Sequence, residues 1–148
     1  MSNNITKNIF FSIGIGYLFA ELQVFLETDF LIEFLKNNLI SLLVALIAIN
    51  STTLSLVLTK IREISDKNKN QLDFSNTRKQ MILSINEQIV LIIFSTIFLM
   101  VLDSIFIKNH QEFSVLIHTL IISTFVYALI VLFDTAKSVF IILDYKND

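Results

Sequence analysis

The sequence predicts an all-α fold: a polytopic membrane bundle of four transmembrane helices, with a helical hairpin stem between helices two and three. Of the 148 residues, 54 % are hydrophobic and 16 % are charged, and the mean hydropathy is +0.71. Soluble domains have about a quarter of their residues charged, and a chain this short cannot hide so much apolar surface in its own core. Proline is absent, so long helices are uninterrupted. The apolar surface is therefore predicted to face lipid.

Four segments approach the ~20 residues that a helix needs to cross the hydrocarbon layer. They are 9–26, 39–58, 89–107 and 114–133. The second and fourth contain no charged residue, and the third contains only Asp103. A signal peptide and a helix lying in the interface are the alternatives for the first segment. No small-residue cleavage site follows its apolar core, and the core lacks a strong polar face, so we predict a retained span.

Basic residues predict which way the bundle faces. With four spans, both termini and the 59–88 segment lie on one side of the membrane. That side collects nine of the eleven lysines and arginines, against two on the other side. Such an excess marks the cytoplasmic side. The abundance of Ile, Asn, Lys and Phe is typical of AT-rich microbial genomes, so we expect a multi-pass protein of a bacterial inner membrane with cytoplasmic N- and C-termini.

The 59–88 segment is predicted to form a cytoplasmic helical stem. Its apolar residues continue the helical period of the flanking spans on both sides of a charged, Asn-rich turn at 66–73. Ser75 or Asn76 is expected to cap the helix that follows. Anionic lipid headgroups, a cytoplasmic protein partner and plain solvent are the alternatives for what its basic residues contact. These residues are Lys60, Arg62, Lys67, Lys69, Arg78 and Lys79.

Six small or hydroxylated residues recur along the second span at spacings of 4, 3, 4, 3 and 4, which places them on one stripe of a helix. Between membrane helices, small side chains allow close backbone approach and hydroxyls supply hydrogen bonds. Three alternatives follow for the stripe: packing within the subunit, an interface of a homo-oligomer, or the lining of a hydrated pore. Its residues are Ser41, Ala45, Ala48, Thr52, Ser55 and Thr59.

Four polar side chains at membrane depth are further candidates: Glu21, Asn50, Asp103 and His118. An intramembrane carboxylate is costly and is a functional candidate by default, and Tyr17 lies one turn before Glu21 as a hydrogen-bond partner. A neutral carboxyl bonded within the bundle, and a position at the interface, are the other interpretations of Glu21. Asn50 is expected to bond to a neighbouring helix. Structural roles are favoured for Asp103, which lies near a membrane face, and for the lone His118.

Several function classes are excluded on composition and motifs. Cysteine is absent, which removes disulfides and thiolate chemistry. The two histidines have no carboxylate at metal-binding spacing on the same helix, and no hydrolase, metalloprotease or nucleotide-binding motif occurs. A net charge of −2 does not attract nucleic acid. We therefore expect no enzyme activity, cofactor, metal or nucleic-acid partner.

The overall layout, four spans with a basic cytoplasmic stem, is similar to that of the small four-pass membrane subunits of bacterial anti-phage defence systems such as Kiwa. The resemblance implies a membrane-embedded component and carries no residue roles. The expected function is that of a non-enzymatic homo-oligomer in the lipid bilayer, acting as a sensor or anchor, or as an ion-permeable effector resembling an ion channel. The alternative is a small cation-coupled transporter that uses Glu21.

Overall fold

A computed structural model of the chain describes residues 2–67 and 75–143, and this part of the chain forms five α-helices and one 3₁₀-helix. They are α1 (Ser2–Phe25), α2 (Phe30–Lys67), α3 (Ser75–Leu102), α4 (Ile105–Asn109), the 3₁₀-helix Gln111–Phe113, and α5 (Ser114–Leu143). Four of these helices are long and apolar enough to span a membrane, over Ile5–Phe25, Phe30–Glu63, Met81–Leu102 and Ser114–Lys137. The predicted all-α bundle with four membrane-spanning helices is confirmed.

Helix α5 is the centre of the bundle, because α1, α2 and α3 all pack against it. In the most apolar 18-residue stretch of each helix, 50 % of the residues of α5 are buried, against 22 % for α1 and α2 and 11 % for α3. Helices α2 and α3 also pack against each other, whereas α1 packs mainly against α5. The most deeply buried apolar side chains come from α2 and α5: Leu35, Leu39, Ile121, Ile122 and Ala128.

Successive long helices run antiparallel, which gives the bundle two distinct ends. Near one end the Asn8 amide donates a 3.3 Å hydrogen bond to the Asp134 carboxylate, linking the start of α1 to α5. We call this the termini end. At the opposite end are the turn at 26–29 and α4, and we call it the turn end. There the Lys36 ammonium and the Asp103 carboxylate form an ion pair that links α2 to α3.

Helix α2 begins at Phe30, well before the predicted span at 39–58. The Thr28 hydroxyl accepts a hydrogen bond from the Phe30 amide at 3.3 Å, and the Gln23 side chain accepts one from the Ile32 amide at 3.0 Å. These bonds satisfy amides that the first turn of a helix leaves free. Glu33 therefore lies in the first turn of α2, whereas Glu27 and Asp29 lie in the turn before it.

Helix α3 ends at Leu102, whereas the sequence predicts a span to 107. The Ser104 hydroxyl accepts a hydrogen bond from the Ile107 amide and caps the separate helix α4. A side-chain acceptor that competes with the helical backbone explains the break, since neither Pro nor Gly occurs there. At its other end α3 begins at Ser75, as predicted, while most of the predicted turn at 66–73 lies outside the described residues.

Gly16 lets α1 approach α5 closely. A Cβ atom at this position would lie 2.7 Å from the Thr119 carbonyl oxygen and 2.9 Å from the Ser123 amide nitrogen, and it would overlap the Ser123 hydroxyl. Two of these atoms are backbone and cannot swing away. The close contact between the two helices therefore requires glycine at position 16.

Replacing Glu27 with glycine is expected to stabilise the protein by about 1 kcal/mol. Glu27 follows the end of α1 with a φ of 50°, a left-handed conformation that costs a side-chain-bearing residue about that much and costs glycine little. Its side chain is exposed, so no packing is lost. The change should raise the sodium dodecyl sulfate concentration at which the helical circular dichroism signal is lost. A lower midpoint would contradict it.

Candidate functional site

The α2 stripe lies on the outer surface of the bundle. All six of its side chains are exposed: Ser41, Ala45, Ala48, Thr52, Ser55 and Thr59. The buried side chains of α2 occupy the opposite face of the same helix, among them Leu43, Asn50 and Leu54. The stripe therefore does not pack against another helix of its own chain in the described residues, and the first of the three predicted interpretations is wrong. An interface between subunits and a pore lining stay predictions.

Large side chains border the stripe on both sides, so that it forms a shallow groove along α2. Val44 and Leu58 stand on one side, and Ile49 and Leu56 on the other, with 44 % to 65 % of each side chain exposed. A low seam between two ridges is the shape that a second helix can enter. The rest of the bundle surface is different, because exposed positions on α1 and α3 carry mostly large apolar side chains.

Three of the four hydroxyl groups of the stripe are bonded to their own helix. Thr52, Ser55 and Thr59 donate to the carbonyl oxygens four residues earlier, at 2.9, 3.1 and 3.0 Å. Bonded in this way, they carry no unmet donor into lipid, and their oxygens can still accept a hydrogen bond from a partner. The stripe therefore differs from the rest of the bundle surface more by the small size of its side chains than by their polarity.

Asn50 is fully buried, yet no described residue bonds to either atom of its amide. Its burial agrees with the prediction, but the expected hydrogen bond to a neighbouring helix is not present in the described part of the chain. Gln88 and Ser95 of α3 are also buried without a partner there. They are seven residues apart and so lie on one face of α3. The sequence analysis missed both, because it assigned Gln88 to the stem and treated Ser95 as part of an apolar span.

Asp103 and His118 line a common pocket at the turn end, with a volume of about 320 Å³. Asp103 pairs with Lys36. The Ser114 hydroxyl and His118 Nε2 lie 3.2 Å apart, and Asp29 lines the same pocket. These bonds agree with the predicted structural roles. Within residues 2–67 and 75–143, no group of three His, Asp or Glu side chains is arranged to hold a metal ion.

Glu21 lies on α1 near the turn end of the bundle. Its side chain is exposed and points away from the centre of the bundle. Tyr17 lies one turn earlier on the same helix, and the hydrogen bond from its hydroxyl to the Glu21 carboxylate stays a prediction. Tyr17 is exposed as well, with 51 % of its side chain accessible. The pair therefore lies on the outer face of α1 and lines none of the described pockets that face the bundle interior.

The basic residues of the predicted stem divide into those that the structure describes and those that it does not. The Lys60 ammonium lies 3.1 Å from the Glu63 carboxylate, one turn further along the same helix. Arg62 and Lys79 are exposed. Lys69 and the side chains of Lys67 and Arg78 lie outside the described residues. Among the described basic residues of the stem, Arg62 and Lys79 are therefore exposed and Lys60 is paired with Glu63.

A second groove runs between α1 and α3, with α5 as its floor and a volume of about 440 Å³. Its walls are largely apolar and include Ile13, Val90 and Phe94. At the termini end the groove is lined by the half-buried Glu87 and by Tyr127. The sequence analysis missed this pair, because Glu87 falls in the predicted stem and no local pattern links it to a tyrosine 40 residues later.

Comparison of the chain with protein-family models, with curated proteins and with solved structures gives no match.

Proposed function

We propose that this protein is a non-enzymatic membrane component that works as a homo-oligomer, with subunits joined through the α2 stripe. One observation carries the proposal: a seam of small side chains lies exposed on the face of α2 opposite its buried face. A helix that needed only to face lipid would gain nothing from small residues there. A helix that meets another helix gains close contact from them.

The length of the stripe supports a contact between two whole helices. Ser41 and Thr59 are 18 residues apart, which corresponds to ~27 Å of helix and nearly matches the hydrocarbon thickness. The spacings alternate between 4 and 3, which is the seven-residue repeat that keeps a seam facing a left-handed partner helix. The occupant that best fits a seam of this kind is the same seam on a second copy.

Cysteine cross-linking tests this interface directly, since the natural chain contains no cysteine. We expect Ala48→Cys and Thr52→Cys proteins in native membranes to form disulfide-linked dimers under mild oxidation. Ile93→Cys is the matched control, because Ile93 is a similarly exposed membrane position on α3. Equal cross-linking at all three positions, or none at Ala48 and Thr52, would contradict the proposal.

A larger side chain in the seam should weaken the oligomer. Ala48 is exposed in the single subunit, so Ala48→Phe leaves each bundle intact. Between subunits, overpacking of about 1–3 kcal/mol predicts about tenfold or more weaker dimerisation. Energy transfer between labelled subunits in liposomes measures this change.

Potassium release from the same liposomes separates the two modes of action. A sensor or anchor leaves the liposomes tight, whereas an ion-permeable effector releases potassium unless Ala48→Phe is present.

We extend the proposal to location and context. The excess of basic residues supports insertion into a bacterial inner membrane with cytoplasmic termini. The exposed Arg62 and Lys79 support contact of the 60–88 stem with a cytoplasmic protein or with anionic headgroups. The four-pass layout supports a role in anti-phage defence, which phage plating on cells with and without the protein tests. The alternative, cation-coupled transport through Glu21, requires Glu21→Gln to abolish uptake without changing assembly.

A further inference from the structure

We propose that the groove between α1 and α3 binds an amphipathic organic cation, with its apolar body between the two helices and its charged nitrogen beside Glu87 and Tyr127. This inference is independent of the α2 seam, which lies on another helix. It commits to one class of ligand because the groove is apolar along its length and acidic at one end.

The groove exists because of how α1 is held. Gly16 brings α1 against the backbone of α5, and α1 packs mainly on α5 and leaves the side of α3 open. The resulting volume of about 440 Å³ lies in the usual range of small-molecule sites. Ile9 and Ile13 form one wall, and Val90 and Phe94 form the other.

The hydroxyl groups that line the groove do not call for a polar ligand. The Ser12 hydroxyl donates to the Asn8 carbonyl oxygen at 2.6 Å, and the Thr124 hydroxyl donates to the Leu120 carbonyl oxygen at 2.7 Å. The Ser123 hydroxyl likewise donates to the carbonyl oxygen of Thr119. With their donors engaged, these side chains present a weakly polar floor. A ligand rich in hydroxyl or amide groups would find few partners there.

The acidic end of the groove selects the charge of the ligand. Glu87 is half-buried and lines the same end of the groove as Tyr127, and a second acid, Asp134, acts on it electrostatically. Neither described ion pair of the chain involves Glu87. A carboxylate bordered by apolar walls and by a second acid repels phosphate and carboxylate groups and attracts a cation. The Tyr127 ring beside it adds an aromatic face of the kind that quaternary ammonium groups prefer.

Methyl NMR of the full-length protein in phosphatidylcholine nanodiscs tests the site. Octyltrimethylammonium and octanesulfonate are the two probes, since they share one chain and carry opposite charges. We expect the cation to produce saturable shifts of the Ile9 and Ile13 methyl signals, and the sulfonate to produce none. The exposed Ile89 and Ile93 methyls of α3 line neither the groove nor the α2 stripe, so they report general partitioning into lipid. Equal shifts at all four residues, or saturation by the sulfonate, would overturn the proposal.

Three variants assign the binding to the groove. Glu87→Gln keeps the shape of the side chain and should weaken binding of the cation about tenfold, the loss expected for one charge-assisted contact. Val90→Trp should block the apolar body while Glu87 stays in place. Glu112→Gln, exposed at the turn end, is the control and should bind as the wild type does.

An unchanged dissociation constant for Glu87→Gln, with a normal circular dichroism spectrum, would show that an uncharged chain occupies the groove. Ala48→Phe should bind normally, so failure of the oligomer and failure of this site are distinguishable.

Discussion

Replacing Gly16 with alanine is expected to push α1 away from α5 and to lower the free energy of unfolding by about 1–3 kcal/mol, the usual cost of overpacking. The new methyl group would meet the Thr119 carbonyl oxygen and the Ser123 amide nitrogen at 2.7 and 2.9 Å. Both belong to the backbone of the central helix, so α1 must move instead. The midpoint of unfolding by sodium dodecyl sulfate, followed by helical circular dichroism, measures the loss.

Gly14 provides a matched control on the same helix. A Cβ at Gly14 would have no atom within 4 Å, so Gly14→Ala adds no clash. Alanine is the better helix former by about 1 kcal/mol, so this variant should be equal to the wild type or slightly more stable. Equal effects of the two substitutions would show that α1 is not held against α5 at Gly16. A destabilised Gly16→Ala beside a normal Gly14→Ala would locate the close contact.

The four spans were predictable because they depend on local properties, namely length, apolar content and the absence of charge. The positions at which the helices begin and end were less predictable. Helix α2 begins at Phe30, well before the predicted span at 39–58, and a single serine at position 104 ends the third span without Pro or Gly. The end of a helix depends on which side chains accept hydrogen bonds from its backbone amides. A hydropathy pattern contains no information about these hydrogen bonds.

The packing of the helices could not be read from the sequence, for a physical reason. In a soluble helix the apolar face points to the core, but a membrane helix is apolar on both its protein and its lipid side. The α2 stripe is a regular pattern whose direction stays undetermined until α2 is placed against α3 and α5. The pocket that joins Asp103 to His118, and the groove that joins Glu87 to Tyr127, depend on long-range contacts of the same kind.

Replacing Asn50 with leucine is expected to stabilise the subunit by about 1–3 kcal/mol. The side chain is fully buried, and neither amide atom has a partner among the described residues. An unsatisfied buried polar group costs about that much, whereas leucine has the same branched shape and the same number of side-chain heavy atoms but no polar atom. The prediction is checked by the same unfolding titration, as a higher midpoint for Asn50→Leu.

Asn38→Leu is the comparison that isolates burial. The Asn38 amide donates a 2.8 Å hydrogen bond to the Phe34 carbonyl oxygen and is only partly buried, so its replacement should change stability by less than about 0.5 kcal/mol. If Asn50→Leu instead unfolds more easily than the wild type, the Asn50 amide is bonded through water or a ligand.

A stabilising Asn50→Leu would also say what the amide does for the fold. Sliding α2 along α3 by one turn would carry Asn50 to another depth, where a leucine would fit almost equally well. An amide restricts this freedom, as single buried polar residues do in coiled coils, at a cost in stability. Because the opposite face of α2 carries the stripe, a fixed register would also fix the depth of the seam. Asn50→Leu should then give a more stable subunit and less uniform cross-linking through Ala48→Cys.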